Sequence, residues 1–214
     1  MSQMSEDAPS AELDDLDALM RRVDPDRWLS SRFIGNAEAR ADVIAIYAFD
    51  HELARAPKVA SNLLLSEMRL TWWREALEEI FEDRPVRQHP AAQALARAVG
   101  RRGLKREALE TLIEARYRGL DPAAMSEAEV LDPATDAKMA LAGGSAWALG
   151  KRLAETPDLR PTFLKVIHAA RSASRNLSVA AFPAIAHAAL AGRPASNDFA
   201  RRLRLTIAVA RGKI

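Results

Sequence analysis

The run Ile46-Tyr47-Ala48-Phe49-Asp50-His51-Glu52-Leu53-Ala54-Arg55-Ala56, followed beyond Pro57 by Glu67-Met68-Arg69-Leu70-Thr71-Trp72-Trp73-Arg74-Glu75, has the composition of two helices. Alanine, leucine, arginine and glutamate are strong helix formers, and neither run alternates apolar and polar residues as a half-buried strand would. The first helix is predicted over residues 37–56, entered through Gly35-Asn36 and stopped by Pro57, which lacks a backbone N–H. Ser61 or Ser66 is the expected cap of the second, which runs to about Asp83.

The same signals extend outward in both directions. Helices are predicted over 10–23 with Ser10 as cap, over 27–34, over 91–102 up to Gly103, and over 106–119. A long helix follows over 134–155, and another starts near Thr162 and is broken at Pro183. Gly192-Arg193-Pro194 reads as a turn and Ser196 as the cap of the last helix. The expected fold class is therefore all-α. The 214 residues are read as a single helical domain with residues 1–9 disordered. The most apolar stretch, 177–191, is interrupted by Pro183 and His187 and falls short of the ~20 residues that span a bilayer, so it reads as a buried helix.

Composition excludes several kinds of chemistry. With no cysteine there are no disulfides, thiolate metal sites or thiol nucleophiles. The acidic start (Glu12, Asp14, Asp15, Asp17) does not resemble a secretory leader, and the expected location is cytoplasmic. The formal net charge is only +2, but it is unevenly spread: Arg201, Arg202, Arg204, Arg211 and Lys213 have no acidic neighbour after Asp198. That helix is the candidate for a peripheral contact with an anionic surface, such as the inner membrane, or with a partner protein. Nucleic-acid binding is not expected, because neither a reading motif nor interleaved aromatics accompany the charge.

Candidate reactive groups are sparse. His51, His89, His168 and His187 are dispersed without metal-binding spacing, and no phosphate-binding glycine loop or nucleophile elbow occurs. Asp132 and Asp136 have metal-compatible spacing, but Pro133 makes Asp132 a helix cap. Glu75, Glu78, Glu79, Glu82 and Asp83 read as a solvated face pairing with Arg74 or Arg84.

Tyr47-Ala48-Phe49 and Trp72-Trp73-Arg74 on successive helices resemble the squalene/phytoene synthase family. So do His89-Pro90 before an alanine-rich helix, Leu112-Ile113-Glu114-Ala115-Arg116, and Ala142-Gly143-Gly144-Ser145-Ala146-Trp147, in that order. The resemblance covers roughly residues 27–153 and implies an isoprenoid-synthase-like helical bundle, trimmed at its C-terminal side. In that family two aspartate-rich motifs on helices hold magnesium, which binds the diphosphates of two prenyl substrates. Magnesium wants several oxygen ligands aimed at one point. Counting from Tyr47, the first motif should place aspartates near positions 54 and 58. This chain has Ala54 and Lys58, with Arg55 between them. The second motif is expected within residues 163–190, which contain no aspartate or glutamate.

Phe49-Asp50-His51-Glu52-Leu53-Ala54 resembles the Phe-Asn-x-Glu-Leu-Ala sequence of a non-catalytic branch of the family, accessory proteins in the assembly of respiratory complex I. The expectation is a non-catalytic assembly or scaffold protein without a cofactor, with a protein partner or a prenyl or lipid ligand. The alternative is a prenyltransferase of isoprenoid biosynthesis, in which Arg55 and Lys58 bind diphosphate directly or with magnesium. Tyr47, Glu52, Arg55, Lys58, Arg69, Trp73, Gly144 and Ser145 are the candidate residues of a vestigial pocket. The bland reading of the same residues is packing, with a buried tryptophan and an internal Arg69–Glu52 pair.

Overall fold

The computed structural model describes residues 8–59, 62–118, 120, 146, 149–150, 153, 157–175, 182–192 and 197–214. Most of the helix expected over 134–155, together with Asp132, Asp136, Gly144 and Ser145, lies outside them. The described residues are helical and contain no strand. None of their helices is long and apolar enough to cross a membrane. The helices gather into two compact units.

The first unit holds α1 (Ala8–Val23), α3 (Ala37–Val59), α4 (Leu63–Phe81), α5 (Pro90–Arg102) and α6 (Arg106–Arg118). Helix α3 is its centre and packs against each of the other four. Its apolar residues recur at helical spacing, so Ile44, Ala48, Phe49 and Leu53 are all buried. Facing them are Leu70, Trp73 and Leu77 of α4, and Ala91, Ala94, Leu95 and Ala98 of α5.

Several boundaries differ from the sequence expectation. Helix α3 continues through Pro57 to Val59. The proline falls in the last turn, where its missing N–H removes one terminal hydrogen bond instead of breaking a helix interior. Helix α4 is capped by Asn62, whose side chain accepts from the Leu65 N–H at 2.9 Å, and not by Ser61 or Ser66. Helix α1 begins at Ala8, so Ser10 lies inside it. Gly103 closes α5 as expected, at φ 58° in the left-handed conformation glycine tolerates.

The second unit holds α2 (Pro25–Ser31), α7 (Arg160–Ser174), α8 (Phe182–Ile185), a 3₁₀ turn at Ala186–Leu190, and α9 (Asp198–Arg211). Asp24 caps α2 through the Arg27 N–H, with Pro25 in the first turn, so this helix starts and ends earlier than the predicted 27–34. Asn197, not Ser196, caps α9. Phe163, Val166, Ile167 and Ala170 of α7 form one apolar cluster with Ala146, Ala188 and Ala191. Phe182, Ile185, Ala186 and Leu190 form a second with Leu205 and Ala208 of α9. A Cβ on Gly150 would run into the backbone of Ala191 and Gly192, so two chain segments approach at a contact only glycine permits.

Candidate functional site

The sequence pieces that stood out meet in the first unit. Helix α4 presents Trp72 and Trp73 edge to face at 5.0 Å between centroids, and Phe49 of α3 meets Trp73 at 5.2 Å. His89, at the N-terminus of α5, sits against both indoles, 5.4 Å from Trp72 and 5.1 Å from Trp73. Its Nδ1 is buried without a hydrogen-bond partner. Burial lowers the His89 pKa below 6.5; Glu52 nearby favours the charged ring and Arg55 opposes it. The imidazole is therefore neutral at pH 7, an aromatic wall with one bare acceptor or donor nitrogen.

Arg87 closes one side of this cluster. Its guanidinium lies 4.4 Å from the Trp72 ring centroid, and its Nη1 donates to the Trp72 carbonyl at 2.9 Å. A fork of hydrogen bonds at 2.6–3.1 Å ties it to Glu79. This hydrogen bonding lowers the Glu79 pKa and raises that of Arg87. Arg74 instead pairs with Glu114 at 2.5 Å and covers the Tyr117 ring, whose hydroxyl lies 2.7 Å from Thr71 Oγ1. The expected Arg84 pairing with Glu78 and Glu82 is present, but the Arg74 pairing with the acidic run is not. The reach of Arg74 is taken up by α6. Asp50 of α3 binds Arg116 of α6 at 2.6 Å.

The candidate residues divide four ways. Tyr47 and Trp73 are buried in the first unit, at 8% and 4% exposure. Glu52 and Arg55 form an ion pair at 2.8 Å. The internal Arg69–Glu52 pair does not form: Arg69 is exposed, and Arg55, one turn along the same helix, reaches the carboxylate instead. The side chain of Lys58, with Gly144 and Ser145, lies outside the described residues. Sequence reasoning missed Arg87, Tyr117 and the placement of His89. The one available signal was that His89-Pro90 belongs to the same ordered set as Trp72-Trp73.

Chemically, the arrangement is a packed aromatic seam bordered by offset charge pairs. Among the described residues no three His, Asp or Glu side chains are grouped to hold a metal ion.

An all-α protein whose motifs converge on such a seam has clear relatives. The family model described as squalene/phytoene synthase matches residues 20–136, and the chain belongs to that family. A human protein named NADH dehydrogenase (ubiquinone) complex I, assembly factor 6 is 32% identical over 114 residues, covering 53% of this chain and 34% of the relative. The Rattus norvegicus protein of the same name is 35% identical over 103 residues, covering 48% of this chain and 30% of its own. The match thus spans about a third of each relative's length. No solved structure matches the chain.

Proposed function

We propose that the chain is a non-catalytic member of its family that acts as a scaffold in the assembly of respiratory complex I, cytoplasmic and peripheral to the inner membrane. The observation that carries this is its similarity to relatives named for complex I assembly. Two features of the chain support it. Where the family's first metal-binding motif is expected stand Ala54 and Lys58, and the Arg55 between them is neutralised by Glu52. Residues 163–190 offer no carboxylate for the second. Ionisation of an allylic diphosphate without the metal lacks a large stabilising contribution. Tyr47, Trp73 and His89 line what is left of a prenyl or lipid pocket in this reading. The exposed side of α9, with Arg202 and Arg211, supplies the contact with the membrane surface.

Two measurements test it. Deleting the gene from its host should lower membrane NADH–quinone activity and the amount of intact complex I on native gels, and restoring it should recover both. Unchanged complex I would remove the assembly role. Incubation with farnesyl or geranylgeranyl diphosphate and magnesium should yield no prenyl product. A product whose yield falls on Lys58→Ala would establish the enzyme instead.

A further inference from the structure

Helix α9 carries two apolar faces. Leu205 and Ala208 are buried against the second unit. Phe199, Leu203 and Ile207, one turn apart, are instead 74%, 47% and 41% exposed. At 3.6 residues per turn these three fall in an arc of about 80°, with Arg202 on one flank and Arg211 on the other. Arg201 is held by Asp26 at 2.9 Å and Asp198 at 2.8 Å, and residues 199–214 contain no aspartate or glutamate.

Next to Ile207 the second unit opens into a cleft of about 280 Å³. Arg171, Arg204, Arg211 and Lys213 line it above a floor that includes Ile167 and Ala188, and its lining contains no acidic side chain among the described residues. The Arg171 Nε donates to the Ile214 main-chain oxygen at 3.2 Å, which fixes one of these cations at the cleft.

We infer that α9 lies on an anionic phospholipid surface and that the cleft beside it takes the phosphate of one lipid. The charge pattern selects this occupant. Apolar residues flanked by arginines suit the boundary between headgroups and acyl chains. The cleft adds cations directly over an apolar floor, which matches a phosphate joined to hydrocarbon. A partner helix would cover Phe199 and Leu203 but would not enter a cleft of this size. Ile207 belongs to both surfaces, so a lipid bound in the cleft lays its chains along the exposed arc. The inference rests on the membrane contact proposed above and adds its headgroup.

The test uses the full chain, vesicles of phosphatidylcholine with or without phosphatidylglycerol, dihexanoyl phosphatidic acid below its micelle concentration, and inorganic phosphate. Vesicles containing phosphatidylglycerol should bind the protein about tenfold or more tightly than phosphatidylcholine alone. Arg211→Gln with Lys213→Gln should weaken that binding about thirtyfold and abolish binding of the short-chain lipid. Arg22→Gln with Lys105→Gln, equal in charge but on the first unit, should change neither by more than about threefold. Phe199→Ser with Leu203→Ser should abolish vesicle binding and leave the short-chain lipid bound. Because all the substituted residues are surface-accessible, unchanged thermal unfolding verifies the fold of each variant.

Vesicle binding that persists while the short-chain lipid fails to bind would overturn the cleft and spare the membrane contact. Absence of vesicle binding with the short-chain lipid still bound would overturn the membrane contact alone, and absence of both would overturn both. Inorganic phosphate binding as tightly as the short-chain lipid would overturn the lipid as ligand.

Discussion

Arg87 holds Trp72 twice, its guanidinium stacked 4.4 Å from the indole centroid and its Nη1 hydrogen-bonded at 2.9 Å to the carbonyl of the same residue. The loop between α4 and α5 is thereby clamped onto the aromatic seam, and Glu79 completes the clamp by accepting the guanidinium fork. Arg87→Ala should cost about 1–2 kcal/mol of unfolding free energy, combining a charge-assisted hydrogen bond with a cation–π contact. Arg87→Lys keeps the charge but not the fork or the planar stack, and should recover less than half of that loss. Urea denaturation of the two variants measures the difference.

His89 makes this seam sensitive to pH. Its pKa is lowered in the folded state, so between the folded value and 6.5 the unfolded chain binds more protons. The stabilisation from a neutral, buried imidazole is fully present above about pH 6.5 and is lost as the pH falls below it. The melting temperature should therefore begin to drop below pH 6.5, before the carboxylates titrate. Glu79, also lowered, adds its own loss only below 4.5. His89→Phe keeps the ring contacts with Trp72 and Trp73 and should flatten the decline between pH 6.5 and 5. An unchanged slope would assign the effect to another group.

The helices of the first unit were legible because proline and glycine mark their ends and the apolar spacing of α3 has the helical period. The exact caps were not. Asn62 and Asn197 each sit beside a serine, in extended backbone at φ −153° and −158°. Serine and asparagine cap comparably, so neighbouring candidates cannot be ranked without the backbone path. The Tyr-Ala-Phe, Trp-Trp-Arg and His-Pro pieces were legible as an ordered set, but not how they touch. Glu79 and Arg87 are eight residues apart and meet only because the chain reverses after α4, with Asp83 in a left-handed conformation at φ 52°. Charge alone pairs Arg69 with Glu52 as well as Arg55 does, whereas only Arg55 lies one turn away on the same helix.

Asp42 offers a test of charge burial within the first unit. Its carboxylate is almost fully buried on α3 and receives Arg101 and Arg102 of α5, the latter through Nε at 2.6 Å. The two arginines keep 31% and 39% of their side chains exposed, so the partners are not equivalent. Removing the carboxylate leaves the arginines to water and to Glu38, which already lies 3.3 Å from Arg102 and 3.8 Å from Arg101. Removing both arginines strands a buried anion. Asp42→Asn should therefore cost about 1 kcal/mol, while Arg101→Ala with Arg102→Ala should cost about 2–3 kcal/mol, below the range for a fully buried pair because solvent reaches the site. Equal losses from the two variants at neutral pH would contradict the burial argument.

In the second unit, Ser30 ties α2 to the segment that follows Pro183. Its hydroxyl donates to the Pro183 carbonyl and accepts from the His187 N–H at 3.2 Å, and the residue is completely buried. Pro183 cannot donate a backbone N–H, and the 3₁₀ turn that follows leaves the His187 N–H to the hydroxyl. Ser30→Ala fits the space but strands both backbone groups away from water, which should cost about 1–3 kcal/mol. Ser30→Thr keeps the hydroxyl but adds a methyl where the residue has no free surface, so overpacking should cost about 1 kcal/mol or more. The diagnostic readout is amide exchange: the His187 N–H should lose protection in Ser30→Ala and keep it in Ser30→Thr. Retained protection in Ser30→Ala would show that another acceptor satisfies this N–H and that the hydroxyl is not what joins the two segments.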